Sequence, residues 1–343
     1  MALKAKEIAE IIGVSQATLS LVVNNKPGIS AQTRQRVIAE LKSRGFDYLL
    51  NEETQPDNNY ISNRKTIGFI NYRVGGELLG EDSFFPLILD ALEMRARKYG
   101  YNLSYINVSR DNVENEIQKI KLAECQGIAI FATEMKKNDI LPFINLGIPF
   151  VLLDNYFNDL PINAVKVNNE QGTYTAVKYL YEAGHRKVGY LQSGIDINSF
   201  HERCAYAQNA ISSFGMEGPS NYTWTIGYPM ESAYEGMKQL LTSHPKLPTA
   251  FLADNDLVAA GAMKALSEAG YRIPEDISFI GFDDRPICFL MNPALSTVRL
   301  PRQYFGAEAI ELLIRILNGD TDLQVKLEIN TELALRNSVA KLN

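Results

Sequence analysis

Between Val14 and Asn24 the chain reads VSQATLSLVVN, and its apolar side chains recur three and four positions apart instead of alternating. Leu19, Val22 and Val23 therefore share one side of a helix, and Gln16, Ala17, Ser20 and Leu21 are turned to the other. Ser15 stands where a side chain accepts the first free amides of that helix, and Val14 before it is placed to pack on Leu19 as a hydrophobic staple. Upstream, Ile8, Ile11 and Ile12 line one face of a preceding helix that Gly13 ends, and Ala9 is small enough to let two short helices cross closely. After NNKPG, Ile29 and Ser30 open a third helix whose Val37, Ile38 and Leu41 point inward; Gly45 closes it, with Phe46 packing on Leu41. The pattern predicts a three-helix miniature domain over residues 1–46, with the Gln16, Ala17, Ser20 and Leu21 face left unburied.

From Thr66 the period changes. Short apolar runs (TIGFINY, NLSYINV, GIAIFA, IPFVLLD) alternate with helical segments such as FFPLILDALEMRARKYG, the rhythm of a doubly wound parallel sheet. It repeats as a second half, with AVKVN, KVGYLQS, YTWTIG, TAFLADN and ISFIGFD as strands and helices that end at Gly in YEAGH and SEAGY. Two such α/β lobes side by side turn the carboxyl ends of their strands towards a shared cleft, where open parallel sheets bind ligands. Residues 47–65, DYLLNEETQPDNNYISNRK, carry little apolar periodicity and read as a mobile linker.

Composition supports this division. A chain of 343 residues with 46% hydrophobic content can bury two or three cores. The net charge of −6 hides an asymmetry: residues 1–46 carry +4 and the remainder −10. A basic head on an acidic body suits phosphate contact by the head. No apolar run approaches the roughly 20 residues that span a bilayer, and MALKAKEIAE lacks a signal-peptide core, so the expected location is the cytoplasm, away from membranes. Cys125, Cys204 and Cys288 are odd in number and far apart, with no clustered His, which argues against a disulfide framework or a metal site.

In a helix-turn-helix the unburied face of the second helix enters the major groove. There Gln can pair with adenine, and small apolar groups can meet thymine methyls. The helix starts at Ser15 and Ser30, with Thr18, Asn24, Lys26 and Thr33, are placed to hold phosphates. The run KEIAEIIGVSQATLSLVVNNKPGISAQTRQRVIAELKSRGF resembles the DNA-binding head of the lactose-repressor (LacI/GalR) family of bacterial transcription regulators in pattern and spacing. The resemblance implies that Gln16, Ala17 and Leu21 occupy base-reading positions. Leu21 departs from the Arg that many members carry there, which favours a methyl-rich or differently spaced half-site. The linker also lacks the Pro-Asn start of the family's minor-groove hinge helix, so sequence reading is expected to rest on the major-groove helix.

The body shares the resemblance through AGHRKVGYL, PTAFLADNDLVAAGAMKALSEAGYRIPEDISFIGFDD and NPALSTVRLP, which follow the family's periplasmic-binding-protein-like effector core. That fold implies three crossings between lobes, expected near 165, 296 and 326. The first lobe would then hold about 66–165 and 297–325, and the second 166–296 and 326–343. Arg203 aligns with the arginine that grips vicinal hydroxyls through its guanidinium fork, and Asn255 and Asp283 align with ligand positions at two further strand ends. Phe84, Phe85 and Trp224 are candidates to cover a sugar face. His185 reads as structural, and His201 as able to reach the cleft mouth. Asn168 and Asn169 depart from the family's Asp before NEQG, and Leu300 from a polar residue of the lactose repressor, so the sugar's identity stays open.

The expected function is a transcriptional regulator. It would be a homodimer on a pseudo-palindromic double-stranded DNA operator, repressing carbohydrate-utilisation genes until a sugar binds between the lobes. The ending RNSVAKLN carries no leucine heptads, which favours a dimer over a tetramer. An alternative regulator docks a phosphorylated protein corepressor on the body. A sugar-acting or nucleotide-acting enzyme is disfavoured by the lack of a Gly-Lys-Ser/Thr phosphate loop, of G-x-G-x-x-G after a strand and of any base or nucleophile beside Asp283 and Asp284. No catalytic residue and no cofactor is expected. A transport-binding protein would have neither the basic head nor this amino terminus.

Overall fold

Val14 and Leu19 meet in one apolar cluster, and Ser15, with φ −69° and ψ 153°, accepts the Thr18 amide at 3.0 Å, so the second helix starts where staple and cap place it. The computed structural model describes residues 5–24, 26, 28–44, 46, 49, 65–74 and 84–342, with only the backbone at Ala31, Lys42, Phe84, Leu122, Pro219 and Ser220. In the head, α1 (Ala5–Ile11), α2 (Gln16–Val23) and α3 (Ala31–Ser43) close on Ile8, Ala9, Ile12, Leu19, Val22, Val37 and Leu41. Gly13 takes φ +69° between α1 and α2, a conformation that favours glycine, and the Val14 amide returns to the Ala9 carbonyl at 3.0 Å. Ile11 corrects the expected inward face, being 41% exposed. Ala9 and Ile11 flank the Ile8–Ile12 line on opposite sides, and the small domain closes only over the Ala9 flank. Of residues 47–65 only Leu49, which packs on the head cluster, and Lys65 are described. The expectations of a mobile linker without a hinge helix therefore lie outside the described residues.

Residues 65–343 form a second unit. Its first half runs β1 (Lys65–Arg73), α4 (Phe84–Lys98), β2 (Tyr101–Ser109), α5 (Val113–Leu122), β3 (Cys125–Phe131), α6 (Leu141–Ile144), β4 (Phe150–Leu153) and β5 (Ala164–Val167). The chain continues through α7 (Asn169–Glu182), β6 (Val188–Gln192), α8 (Asn198–Ser213), α9 (Pro219–Tyr222), β7 (Thr223–Thr225) and α10 (Met230–Leu241). Next come β8 (Ala250–Ala253), α11 (Asp256–Glu268), β9 (Ser278–Phe282), α12 (Ile287–Leu290) and β10 (Ser296–Arg299). It closes with α13 (Arg302–Leu317), β11 (Lys326–Ile329) and β12 (Glu332–Ala334). Two six-stranded sheets result, in the orders β11-β5-β4-β3-β1-β2 and β12-β10-β9-β8-β6-β7. All neighbours are parallel except β12, which runs antiparallel to β10. The central strands are buried on both faces, which explains their continuous apolar runs.

The expected lobe limits need correction. AVKVN, read as opening the second half, is β5 and pairs with β4 and β11 in the first sheet. Lys326–Ile329, expected in the second lobe, lies beside β5 in the first, and Thr297–Arg299, expected in the first lobe, belongs to the second sheet through β9 and β12. Periodicity identifies a strand but not its partner, and a four-residue strand buried on both faces suits either sheet until its hydrogen bonds are known. The last three strands, of four, four and three residues, are too short for periodicity to mark them.

Candidate functional site

On α2, Gln16, Ala17 and Ser20 are exposed, and Leu21 is half-buried beside Gly28, where a Cβ would sit 3.5 Å from Leu21 Cδ1. Arg34 of α3 reaches across the turn: Nη1 donates to the Leu21 carbonyl at 3.1 Å and Nη2 to the Lys26 carbonyl at 2.5 Å. The end of α2 is thereby tied to α3, which holds its outer face in a fixed orientation. The two helix starts match. Ser15 Oγ lies 2.8 Å from Thr18 Oγ1, and Ser30 Oγ lies 2.8 Å from Thr33 Oγ1, each serine also accepting the threonine amide. The Thr18 and Thr33 amides are thus used within the head, and what these starts present outward is a pair of hydroxyls. Asn24 is turned back on its own helix, donating to the Ser20 carbonyl at 3.0 Å, while Lys26 is exposed.

In the body, Arg203 lies on α8 and is only 5% exposed. Its Nη1 donates to the Asp254 carbonyl at 2.7 Å, Nε to Asn169 Oδ1 at 3.0 Å, and Nη2 stands 3.4 Å from Asp283 Oδ1. The guanidinium also lies 3.7 Å from the centre of the Phe282 ring. Asn255 caps α11: its Oδ1 accepts the Leu257 and Val258 amides at 3.1 Å, while its buried Nδ2 has no hydrogen-bond partner among the described residues. Arg203, Asn255 and Asp283 are thus brought together at the carboxyl ends of β8 and β9.

Asp283, at φ 106°, accepts from Arg285 Nε and Nη2 at 3.1 Å, and Asp284 accepts from Arg299 and Arg336 at 2.5 Å each. Both members of the acidic pair are therefore fixed in position by arginine side chains. Below them Asp256 accepts from the Arg285 amide at 2.7 Å and from Thr297 Oγ1 at 2.5 Å. Its burial, and then the Asp283 charge, push its carboxyl up to about 7. Gly281 is required here, because a Cβ would collide with Asp256 Oδ1.

The first lobe contributes a residue that sequence reasoning missed. Asp154, closing β4 at φ 66°, is buried, accepts from Thr133 Oγ1 at 2.7 Å and lies 3.5 Å from Ser199 Oγ of α8. Burial pushes its carboxyl up to about 6, against the Thr133 hydrogen bond and the Arg203 charge. The signal was present: IPFVLLD ends on an aspartate just as ISFIGFD does. A cavity of about 260 Å³ is lined by Gln192, Gly194, Ile195, Asp196, Phe200, His201, Thr225 and Asp254, so His201 does lie at a cavity wall; Arg203, Asn255 and Asp283 are not among its lining residues, and Arg203 adjoins it through the Asp254 carbonyl that it grips. His185 is fully buried between Thr249 Oγ1 at 2.9 Å and the Ala340 carbonyl at 3.2 Å, a structural role.

Two aromatic expectations are corrected. Trp224 packs against Phe251 at 5.7 Å in the second-lobe core, since alternation along β7 gives the cavity to Thr225 instead. Phe85 stacks on Phe69 and meets Phe131 edge-on, both at 5.6 Å, so its ring serves the first-lobe core. The Phe84 side chain lies outside the described residues. Leu300 is a buried core residue.

Residues 4–47 match the model described as bacterial regulatory proteins, lacI family, and residues 177–339 match a periplasmic binding protein-like domain. The head, residues 4–47, is that of the lacI family of bacterial regulatory proteins. The chain is a DNA-binding transcriptional regulator with an effector-binding core. Along 98% of both chains it is 28% identical to the HTH-type transcriptional repressor PurR of Mannheimia succiniciproducens, and 26% identical to the ribose operon repressor of Haemophilus influenzae. The lac repressor dimer bound to operator and the anti-inducer ONPF superposes with a TM-score of 0.72 at 23% identity, covering 99% of this chain and 100% of that one. The Escherichia coli transcriptional repressor ascG gives 0.68 at 27% identity, over 80% of this chain and 99% of the other. The lacI-family fold accounts for the head and for both lobes. Among the described residues no helix is long and apolar enough to cross a membrane.

Proposed function

We propose that this regulator is a homodimeric repressor whose head, residues 1–46, reads a pseudo-palindromic operator, and whose core, 66–343, releases it on binding a sugar. In the head, Gln16, Ala17 and Leu21 face base edges, and Ser15, Thr18, Ser20, Asn24, Lys26, Ser30 and Thr33 contact phosphates or flank them. In the core, Arg203, Asn255 and Asp283 hold the sugar from the second lobe and Asp154 from the first. The observation that carries the effector reading is Asn255: wholly buried, its Oδ1 spent on a helix cap, its Nδ2 without a partner among the described residues, and one residue from the carbonyl that Arg203 grips. A buried donor left unmade costs about 1–3 kcal/mol, and a sugar hydroxyl satisfies it. Guanidinium, amide and carboxylate together offer the donors and acceptors a polyol needs. The name of the 26%-identical ribose operon repressor supports a sugar as the effector class. Nothing in this arrangement supplies a nucleophile with a base beside it, and the ligand is bound unchanged.

Two measurements test the proposal. Selection of bound DNA from random sequence should return a symmetric site with two equal half-sites; an asymmetric single site overturns the dimeric reading. Thermal melts with mono- and oligosaccharides should show at least one that raises the core melting temperature and lowers operator affinity. A flat response across the sugars overturns the effector assignment.

A further inference from the structure

Asn198, Ser199, Glu202 and Arg203 line one side of α8, and they make contacts that the effector reading does not use. Asn198 Nδ2 donates to Asn155 Oδ1 at 2.6 Å, and Ser199 lies against Asp154, so the start of α8, a second-lobe helix, touches the loop that follows β4 in the first lobe. One turn on, the Glu202 carboxylate gathers three donors. Tyr156 Oη donates to Oε1 at 2.7 Å, Lys166 Nζ to Oε1 at 2.6 Å and Asn169 Nδ2 to Oε2 at 2.8 Å. Tyr156 packs on the first-lobe core and Lys166 lies in β5 of the first sheet, whereas Asn169 opens α7, which packs on α8. Lys166 is only 5% exposed and its Nζ also lies 4.2 Å from the centre of the Tyr156 ring. The Asn169 amide then continues the chain of contacts, because its Oδ1 accepts from Arg203 Nε at 3.0 Å while its Nδ2 serves Glu202. Only an amide can do both. An aspartate at 169 would accept from Arg203 but would face Glu202 as a like charge.

We propose that Glu202 is a latch between the lobes and, through Asn169, a positioning residue for Arg203, so that lobe rotation and the grip on the effector are one equilibrium. Two of the three donors to Glu202 come from the first lobe, and any rotation that withdraws them leaves this half-buried carboxylate with Asn169 alone. Such a state is disfavoured in so far as the carboxylate stays out of water, because a partly buried charge without its partners has lost part of its hydration uncompensated. Burial works against ionisation of Glu202, yet the hydrogen bonds from Lys166, Asn169 and Tyr156 hold it below the usual range, in keeping with a carboxylate that stays charged in this lobe arrangement. A bistable contact of this kind, shared by both ligands' states, is the physical requirement for coupling between distant sites. The inference rests on the sugar-effector reading only for the coupling measurement; the latch itself is a property of the lobes.

The experiment uses the full chain with spin labels on cysteines introduced at Lys121, on α5 of the first lobe, and Lys246, ahead of β8 in the second. Both positions are exposed, and the native Cys125, Cys204 and Cys288 are buried. The wild type should give one narrow interspin distance distribution. Tyr156→Phe, which removes a single hydroxyl, and Glu202→Gln, which removes the charge while keeping the shape, should each add a second population. Both should change the factor by which a saturating sugar alters operator affinity by at least threefold. A residue that merely stabilises the fold would lower the melting temperature and leave both the distance distribution and that factor unchanged. An unchanged distribution in both variants overturns the latch. If no sugar binds the wild type, the effector reading falls, and the distance distributions alone decide the latch.

Discussion

The head and the core place their polar residues in opposite ways. In the head, seven buried apolar side chains among the described residues hold three helices together and the polar groups of α2 are outside. In the core, Asp154, Asp254, Asp256, Asp283, Asp284, Arg203 and Arg285 are all buried, each with a hydrogen-bonded partner. The difference follows from size. Burying an ion costs several kcal/mol even after relaxation, whereas a domain below about 70–80 residues has only about 3–5 kcal/mol of stability to lose. The head can therefore read a partner only with exposed groups, and the partner supplies the geometry. The larger core can keep charged groups dry and orient them before any ligand arrives.

The strongest way to break this comparison is Arg203→Ala. It removes the cation between the Asp254 carbonyl, Asn169 and Asp283, and loss of one member of a buried charged network costs about 3–5 kcal/mol. Denaturant melts should show that loss in the core transition, and the thermal shift by any sugar should vanish. A stability-neutral Arg203→Ala would mean that the polar floor is an accessory to the core and not part of its construction.

Asp256→Asn sharpens the same point through pH. The Asp256 carboxyl is held at about 7 in the folded chain against an ordinary 3.8, burial being the main cause. The folded state therefore holds this proton more tightly than the unfolded chain. That contribution is fully present below about pH 4 and is lost as pH rises through 7, by about 4 kcal/mol in all. Asparagine has no proton to lose, so the unfolding free energy of wild type minus variant should fall between pH 4 and 7 and be level above. A difference that does not change over that range would show that Asp256 is ionised in the folded protein.

What could be read from the chain in advance divides along the same line. The caps and turns of the head rest on contacts three to five residues apart, such as Val14 with Leu19, Ser15 with Thr18 and Phe46 with Leu41, and those are written in local spacing. Ile11 escaped because its exposure depends on which flank of α1 the other helices cover. In the core, strand positions were legible from apolar runs, and the ends of β8 and β9 marked Asn255 and Asp283. The partners of β5, β10 and β11 were not, since strand pairing is a long-range choice. Nor were the arginines that clamp the acidic pair: Arg299 and Arg336 come from 15 and 52 residues beyond Asp284 and no short pattern joins them to it. Asp154 differs from these, because its strand IPFVLLD ends on an aspartate as ISFIGFD does, and the signal is local.

Leu41→Ala tests the head's side. Leu41 is fully buried in a cluster of seven, and a Leu-to-Ala change in a core costs about 2–5 kcal/mol, which is comparable with the head's entire stability. Operator binding in an anisotropy titration should be lost while the core transition, followed separately by calorimetry, stays where it was. A shift in both transitions would show that the two units fold as one, and the contrast between them would need to be drawn elsewhere.

Gln16→Ala is the smallest change and the mirror image of Arg203→Ala. Gln16 is exposed on α2, so its removal should leave both melting transitions unmoved. Binding should weaken only where a base edge is read, with about 1–3 kcal/mol of preference lost at one base pair of each half-site. A uniform loss across all sequences, with the salt dependence unchanged because glutamine carries no charge, would place Gln16 on the backbone and leave Ala17 and Leu21 as the readers. Leu21 would then carry the greater share of specificity, and its fixed position, with its carbonyl held by Arg34 and its side chain over Gly28, would be the feature that makes a half-buried leucine selective. Replacing Leu21 by Ala in the Gln16→Ala background separates the two cases: preference at a second base pair is lost only if the leucine meets a base, through a thymine methyl in the groove.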